Sequence, residues 1–306
     1  MMTIFTTPKP FHGHAGIIQR NAIMSWTLLK PRPEIILFGD DEGTADVAAE
    51  FGVRHFPDVA RNEYNTPLLN DIFDKAQRSA EYDVLSYINA DIILMSDFIE
   101  AVRRVVRSKR RFLMVGQRWD MEIGQKLDFS GNWEARLVSL VRSEGVLHPA
   151  TGIDYFVFRR GMWGEMPPFA IGRTVWDNWL CYRARALLAP VIDATEAVMI
   201  VHQDHDYAHI PKKSGDAWKG LEAQRNEKLG GGRNHVFTLR DASHKLPKNG
   251  PPKLALERDR IARHLETIPI LYPRFTPAAK LAQRLMGFSQ RVRSGVRRYL
   301  VSRRTT

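Results

Sequence analysis

Cysteine is almost missing from this sequence: Cys181 stands alone among 306 residues. One thiol can form no intramolecular disulfide and no thiolate metal cluster, so a secreted disulfide scaffold and a zinc finger are excluded and a reducing compartment is expected. Long apolar runs are missing too, since no stretch approaches the ~18 residues that a spanning helix needs. The segment Met1 to Gly16 lacks the basic start and long apolar run of a secretory leader, so the expectation is a cytoplasmic chain. Neither GxGxxG nor a P-loop lysine motif occurs, which removes the usual signatures of dinucleotide and nucleoside-triphosphate enzymes. Acids are lacking in one place: none follows Glu266, whereas nine Lys and Arg do. That tail carries most of the formal net charge of +11 and leaves about +2 for the body, which does not read as a nucleic-acid-binding surface.

What is present is the material of a core: 44% hydrophobic, 10% aromatic and 26% charged residues. Short apolar runs alternate with longer helical patterns over the first two-thirds, the rhythm of βα units and a mainly parallel sheet. Strands are expected at Thr3–Thr6, Glu34–Phe38, Arg54–Phe56, Asp83–Ile88, Phe112–Gly116, Asp154–Phe158 and Ala197–His202. Helical spacing covers Ala15–Leu29, which Pro31 and Pro33 stop, then Ala45–Phe51, Pro67–Ala80 and Ser96–Ser108. Pro211 to Pro252 is rich in Gly, Lys, Asn and Pro and reads as loop with isolated helical turns.

Four polar segments fall at strand ends, where open α/β sheets collect ligands. In Tyr87-Ile88-Asn89-Ala90-Asp91-Ile92-Ile93-Leu94, Asp91 sits between apolar runs. It is either a solvated turn aspartate or a carboxylate in need of a partner, for which a hard divalent cation is suited. In Phe38-Gly39-Asp40-Asp41-Glu42-Gly43, Gly39 lets backbone approach a ligand and Asp40 can accept hydrogen bonds from a base or ribose. An acidic turn capping the next helix has the same look. Gly152-Ile153-Asp154 opens a strand, and Trp176-Asp177-Asn178-Trp179 follows. Two tryptophans there either shield a general base from water or simply pack beside a surface aspartate. Last, His202-Gln203-Asp204-His205-Asp206-Tyr207-Ala208-His209 gathers metal-ligand types after an apolar strand, with a spacing that matches no closed zinc site.

Taken in order, these segments resemble the nucleotide-sugar-dependent glycosyltransferases of the GT-A fold, more loosely their family-2-like members. The start Ile4-Phe5-Thr6-Thr7-Pro8, the strand end Phe38-Gly39-Asp40-Asp41, the helix start Thr66-Pro67-Leu68-Leu69-Asn70 and the element Asn89-Ala90-Asp91 carry it. Gly152 to Asp154, Trp176-Asp177 and the His202 region continue it, over roughly residues 2–209. The resemblance implies an α/β protein with a Rossmann-like mixed sheet flanked by helices. It implies a catalytic domain over 1–210, to which composition and spacing add a loop-rich extension over 211–272 and a basic amphipathic helical tail over 273–306.

By the same resemblance, Thr6 and Asp40 would contact the nucleoside of a sugar donor. Asn89 and Asp91 would face its diphosphate, with Asp91 binding Mn²⁺ or Mg²⁺ and His202 completing the metal site. Asp177 would be the catalytic base of a hexosyltransferase acting on a glycan or lipid-linked acceptor. One position departs from the family pattern: Asn89 stands where the Asp-x-Asp element has its first aspartate, and it offers an amide oxygen but no charge. The chemistry is coherent, because a cation that neutralises charge on the departing diphosphate needs only one carboxylate opposite to take the acceptor's proton. If Asp177 does so, displacement is direct and the anomeric configuration inverts.

Two other readings compete. One is a metal-dependent hydrolase built on His202, Asp204, His205 and Asp206, activating water. The other is a non-catalytic surface-binding protein using the tail, where Leu281, Leu285, Phe288, Val292, Val296 and Tyr299 form a stripe opposite Arg284, Arg291 and Arg298. That pattern suits a helix lying on an anionic membrane, and it places a cytoplasmic transferase at the membrane's inner face.

Overall fold

The computed structural model describes residues 1–204 and 218–285. The chain forms two compact units, Met1–Leu254 and a second from Ala255 onward. The first unit runs β1 (Thr3–Thr6), α1 (Gly13–Leu28), β2 (Glu34–Phe38), α2 (Thr44–Phe51), β3 (Arg54–Phe56), α3 (Leu69–Ser79), β4 (Val84–Ile88), β5 (Ile92–Ile93) and α4 (Ser96–Ser108). It continues with β6 (Leu113–Val115), β7 (Trp119–Met121), α5 (Trp133–Glu144), β8 (Val146–Leu147), β9 (Tyr155–Arg159), α6 (Trp176–Ala186), β10 (Val191–Asp193) and β11 (Val201–Gln203). After α7 (Leu221–Leu229) come β12 (His244–Lys245) and β13 (Lys253–Leu254).

Nine strands form the main sheet in the order β13-β12-β10-β6-β9-β4-β1-β2-β3. Seven of them are parallel, while β9 runs against β4 and β6 and β13 runs against β12. This is the mixed α/β sheet flanked by helices that the motif order leads one to expect. The pleat explains why the strands are apolar throughout. On one face Phe5 meets Phe73 edge-on with centroids 5.0 Å apart, and Phe73 stacks on Phe158 at 5.6 Å. On the other, Ile4, Ile88, Met114 and Val157 meet Trp26 of α1 and Phe98 of α4. In α4, Phe98, Ile99, Val102 and Val105 turn inward at helical spacing and Arg103 and Arg107 outward.

A second sheet of four short strands, β5-β11-β7-β8, stands beside the first. Sequence patterning missed β7 and β8, because strands of two or three residues are too short to show alternation. The described part of the stretch 211–252, residues 218–252, also holds more order than its composition suggests. The run Leu221-Glu222-Ala223-Gln224-Arg225-Asn226-Glu227-Lys228-Leu229 consists mostly of good helix formers and makes the nine-residue α7. The buried Glu222 and Asn226 tie α7 to distant loops, contacts that local composition does not reveal.

The second unit contains α8 (Arg258–Leu271), a 3₁₀ turn at Pro273–Phe275 and helix over 276–285. Leu281 and Leu285 are exposed there. Phe288, Arg291, Val292, Val296, Arg298 and Tyr299 lie outside the described residues. Among the described residues no helix is long and apolar enough to cross a membrane.

Candidate active site

Three adjacent parallel strands, β2, β1 and β4, end at one edge of the main sheet and bring together four of the residues singled out in the sequence. Thr6 closes β1, where it pairs with Leu37, Asp40 lies two residues beyond β2, and Asn89 and Asp91 follow β4. Thr6 is buried, and its Oγ1 has no hydrogen-bond partner among the described residues, as is also true of Thr7 and Thr44. Two buried hydroxyls without such partners at the end of β1, Thr6 and Thr7, suit a polar ligand. The Asp40 side chain is exposed, and Arg61 Nη2 donates to its Oδ1 at 2.6 Å and to Asp41 Oδ2 at 3.1 Å. The hydrogen bond from Arg61 holds the Asp40 carboxyl below the usual carboxylate range.

The small sheet builds the rest of the site. In β11, His202 pairs with Ile92 of β5 on one side and with Asp120 of β7 on the other. This register fixes His202 among three carboxylates: Nε2 is 3.9 Å from Asp91 Oδ2, and Nδ1 is 3.3 Å from both Asp120 Oδ1 and Asp204 Oδ1. Gln203 locks the strand in place, donating from Nε2 to the carbonyls of Ile18 at 2.8 Å and Asp91 at 3.0 Å while accepting from Asn21 Nδ2 at 3.0 Å. Asp120 also meets Arg118 Nε at 2.7 Å and His148 Nδ1 at 2.5 Å. Arg118 in turn donates from Nη1 to Asp154 Oδ2 at 2.7 Å.

The donor set suits a divalent cation. Asp120, His202 and Asp204 each present a ligand atom within 4.8 Å of the others on the Nδ1 side of the imidazole, and Asp91 faces the other ring nitrogen, Nε2, so the imidazole offers an ion one of two positions. Ligands at ~2.1 Å from an ion lie up to ~4.2 Å apart, so the 3.9 Å between Asp91 and His202 is within reach of one ion. Oxygen donors with one imidazole match Mn²⁺ or Mg²⁺ better than a thiolate-seeking metal.

Asp177 lies in the first turn of α6. Trp176 meets Tyr87 edge-on at 5.4 Å and Phe156 at a tilt at 5.3 Å, which seats the start of α6 over the β4–β9 pair just below Asn89 and Asp154. The turn is entered through Val175 at φ +86°, a left-handed conformation that costs a β-branched residue ~1–3 kcal/mol. Burial pushes the Asp177 carboxyl up to about 7, with the like charge of Asp154 adding and Arg118 opposing. A half-buried carboxyl titrating near neutrality can carry a proton in either direction.

Sequence reading passed over Arg118, Asp120 and His148. The one available signal was Arg118 and Asp120 two apart, a spacing that puts both on one face of a strand. His205 and Asp206, which the hydrolase reading needs, lie outside the described residues.

Neither a protein-family profile nor a curated protein matches the sequence. Several solved structures are similar. A mannosyltransferase from Pyrobaculum calidifontis, in complex with GDP-Man and Mn²⁺, aligns at 10% identity and a TM-score of 0.42 over 68% of this chain and 58% of its own. Glucosyl-3-phosphoglycerate synthase from Mycobacterium tuberculosis, with Mn²⁺, UDP and phosphoglyceric acid, aligns at 15% identity and 0.40 over 67% of this chain and 72% of its own. GalNAc-T7, with UDP, GalNAc and Mn²⁺, aligns at 14% identity and 0.48 over 75% of this chain and 48% of its own. The chain thus spans less than two-thirds of the mannosyltransferase and of GalNAc-T7. These are partial likenesses of fold.

Proposed function

We propose that this chain transfers a sugar from a nucleoside-diphosphate donor to an acceptor hydroxyl. The observation that carries the reading is the approach of His202 Nε2 to Asp91 Oδ2, 3.9 Å, at the edge where the strands bearing Thr6 and Asp40 also end. In this reading Thr6 and Asp40 hold the nucleoside, the diphosphate lies over the Asn89–Asp91 turn, and Asp91 and His202 hold the cation. When bound, that cation would supply positive charge to the diphosphate oxygens as the glycosidic bond breaks. Asp177 takes the proton of the incoming hydroxyl, and direct displacement from that side inverts the anomeric centre. Burial raises the Asp177 carboxyl to about 7, with Asp154 adding and Arg118 opposing, which suits a group that must accept a proton near neutrality.

The basic tail supports the finer reading of an acceptor at an anionic surface, such as a lipid-linked glycan, with the protein held at the inner face of a membrane. A thermal-shift panel of UDP- and GDP-sugars with and without Mn²⁺ tests the main reading. A rise in melting temperature for one donor, dependent on Mn²⁺ and lost in Asp91→Ala, is expected. Stabilisation by Mn²⁺ alone with no response to any nucleotide would favour hydrolysis instead.

A further inference from the structure

Asn89 is the position where the chain departs from an Asp-x-Asp element, and its neighbours account for the departure. Its Nδ2 donates to Asp154 Oδ1 at 2.6 Å, and its main-chain N–H donates to the Asp154 carbonyl at 3.0 Å. A carboxylate only accepts, so the amide nitrogen, not the oxygen, is fixed towards Asp154. Asp154 is 4% exposed, and its other oxygen takes Arg118 Nη1. An aspartate at 89 would set two carboxylates at hydrogen-bond distance in a nearly dry place where a single arginine serves both.

The contacts continue from Arg118 to Asp120 at 2.7 Å, from Asp120 to His202 at 3.3 Å, and from His202 to Asp91 at 3.9 Å. They leave the turn at Asn89 and return to it at Asp91, so six side chains close a ring. We infer that Asn89 is a positioning residue and not a cation ligand. Its pairing with Asp154, passed on through Arg118 and Asp120, holds His202 opposite Asp91, and the charge an Asp-x-Asp element carries at its first position resides here elsewhere, at Asp154 just before β9 and at Asp120 on β7. The inference rests on the proposed role of Asp91 and His202.

Three variants of the full chain test it: Asn89→Asp, the exchange Asn89→Asp with Asp154→Asn, and Asp91→Ala. Each is read by its metal-free melting temperature and by Mn²⁺ affinity from the electron paramagnetic resonance signal of free Mn²⁺. Asn89→Asp is expected to melt lower and to bind Mn²⁺ about ten-fold more weakly, in the range for lost supporting contacts at metal sites. The exchange is expected to bring both quantities back towards the parent. Mn²⁺ affinity in Asn89→Asp equal to or tighter than the parent's would overturn the inference, as would an exchange variant no better than the single one. Asp91→Ala separates the two ideas: parental Mn²⁺ affinity there sinks the cation role of Asp91, while the melting temperatures of the Asn89 pair still decide whether the ring holds the turn.

Discussion

The imidazole of His148 fills the space that a side chain on Gly152 would need. A Cβ built on Gly152 would stand 2.4 Å from His148 Cδ2 and 2.6 Å from Nε2. Glycine is thus required here by close approach and not by its backbone angles, since its φ is not positive. Gly152→Ala is expected to push His148 off Asp120, costing about 1–3 kcal/mol as overpacking does. Denaturant unfolding checks the stability. A melting temperature and donor affinity both equal to the parent's would show that the ring moves aside freely.

Asp177→Asn is expected to keep donor binding and to lose turnover by ~10²–10⁴-fold, the usual contribution of a general base. In the parent, turnover should rise with pH through about 7 as the Asp177 carboxyl ionises. The charged or titratable groups that act on it are Asp154 and Arg118, and Cys181, whose thiol burial pushes up, lies one turn further along α6. The effect on stability has the opposite sense. A folded-state value of about 7, above the ordinary 3.8, means the folded protein keeps a proton that the unfolded chain releases. Stability therefore falls as pH rises from about 4 to 7. Above that window Asp177→Asn should melt higher than the parent, and scans at pH 5 and pH 8 decide it.

Glu222 of α7 is 1% exposed and meets Arg173 Nη2 at 2.6 Å and Asn62 Nδ2 at 2.7 Å. Glu222→Gln removes the counter-charge of a buried cation and is expected to cost about 3–5 kcal/mol. Replacing both partners, with Arg173→Met and Glu222→Met together, should cost less than Glu222→Gln alone. Additive losses would show that the pair is not coupled.

Truncation after Tyr272 removes all nine Lys and Arg that follow Glu266, the whole basic tail. It is expected to release the protein from anionic liposomes while sparing transfer to a soluble acceptor, since lipid contributes ~1 kcal/mol per cation at the surface. Co-sedimentation at low and moderate salt measures it. Equal binding with and without the tail would remove the membrane from the proposal.

Much of the main sheet was legible in the sequence. Thr3–Thr6, Glu34–Phe38 and Arg54–Phe56 are strands with the expected bounds, and Ser96–Ser108 is the expected helix. Thr3–Thr6, Glu34–Phe38 and Ser96–Ser108 are each a long enough apolar run or helical stripe for the period to show. The strand expected at Asp154–Phe158 begins one residue later, which leaves Asp154 free of the ladder to meet Asn89 and Arg118. The strand expected from Ala197 is only Val201–Gln203. Thr6, Asp40, Asn89 and Asp91 could be placed because strand ends are readable from where apolar runs stop. Asp120 and His148 could not, since they reach the site through the pairing of β7 with β8 and β11, and register between short strands leaves no mark on local composition.

The reversed direction of β9 has a practical use. Its first residue, Tyr155, stands beside Ile88 and its last, Arg159, beside Val84, so the turn after it opens on the rim opposite Asn89. Gly161 in that turn is exposed, with φ +75° and nothing within 4 Å of an added Cβ. Exposed turn tips tolerate insertion best. A fluorophore or a short affinity peptide grafted there would ride on the middle of the sheet and give a handle for immobilising the protein during turnover, with both approaches to the strand ends left clear.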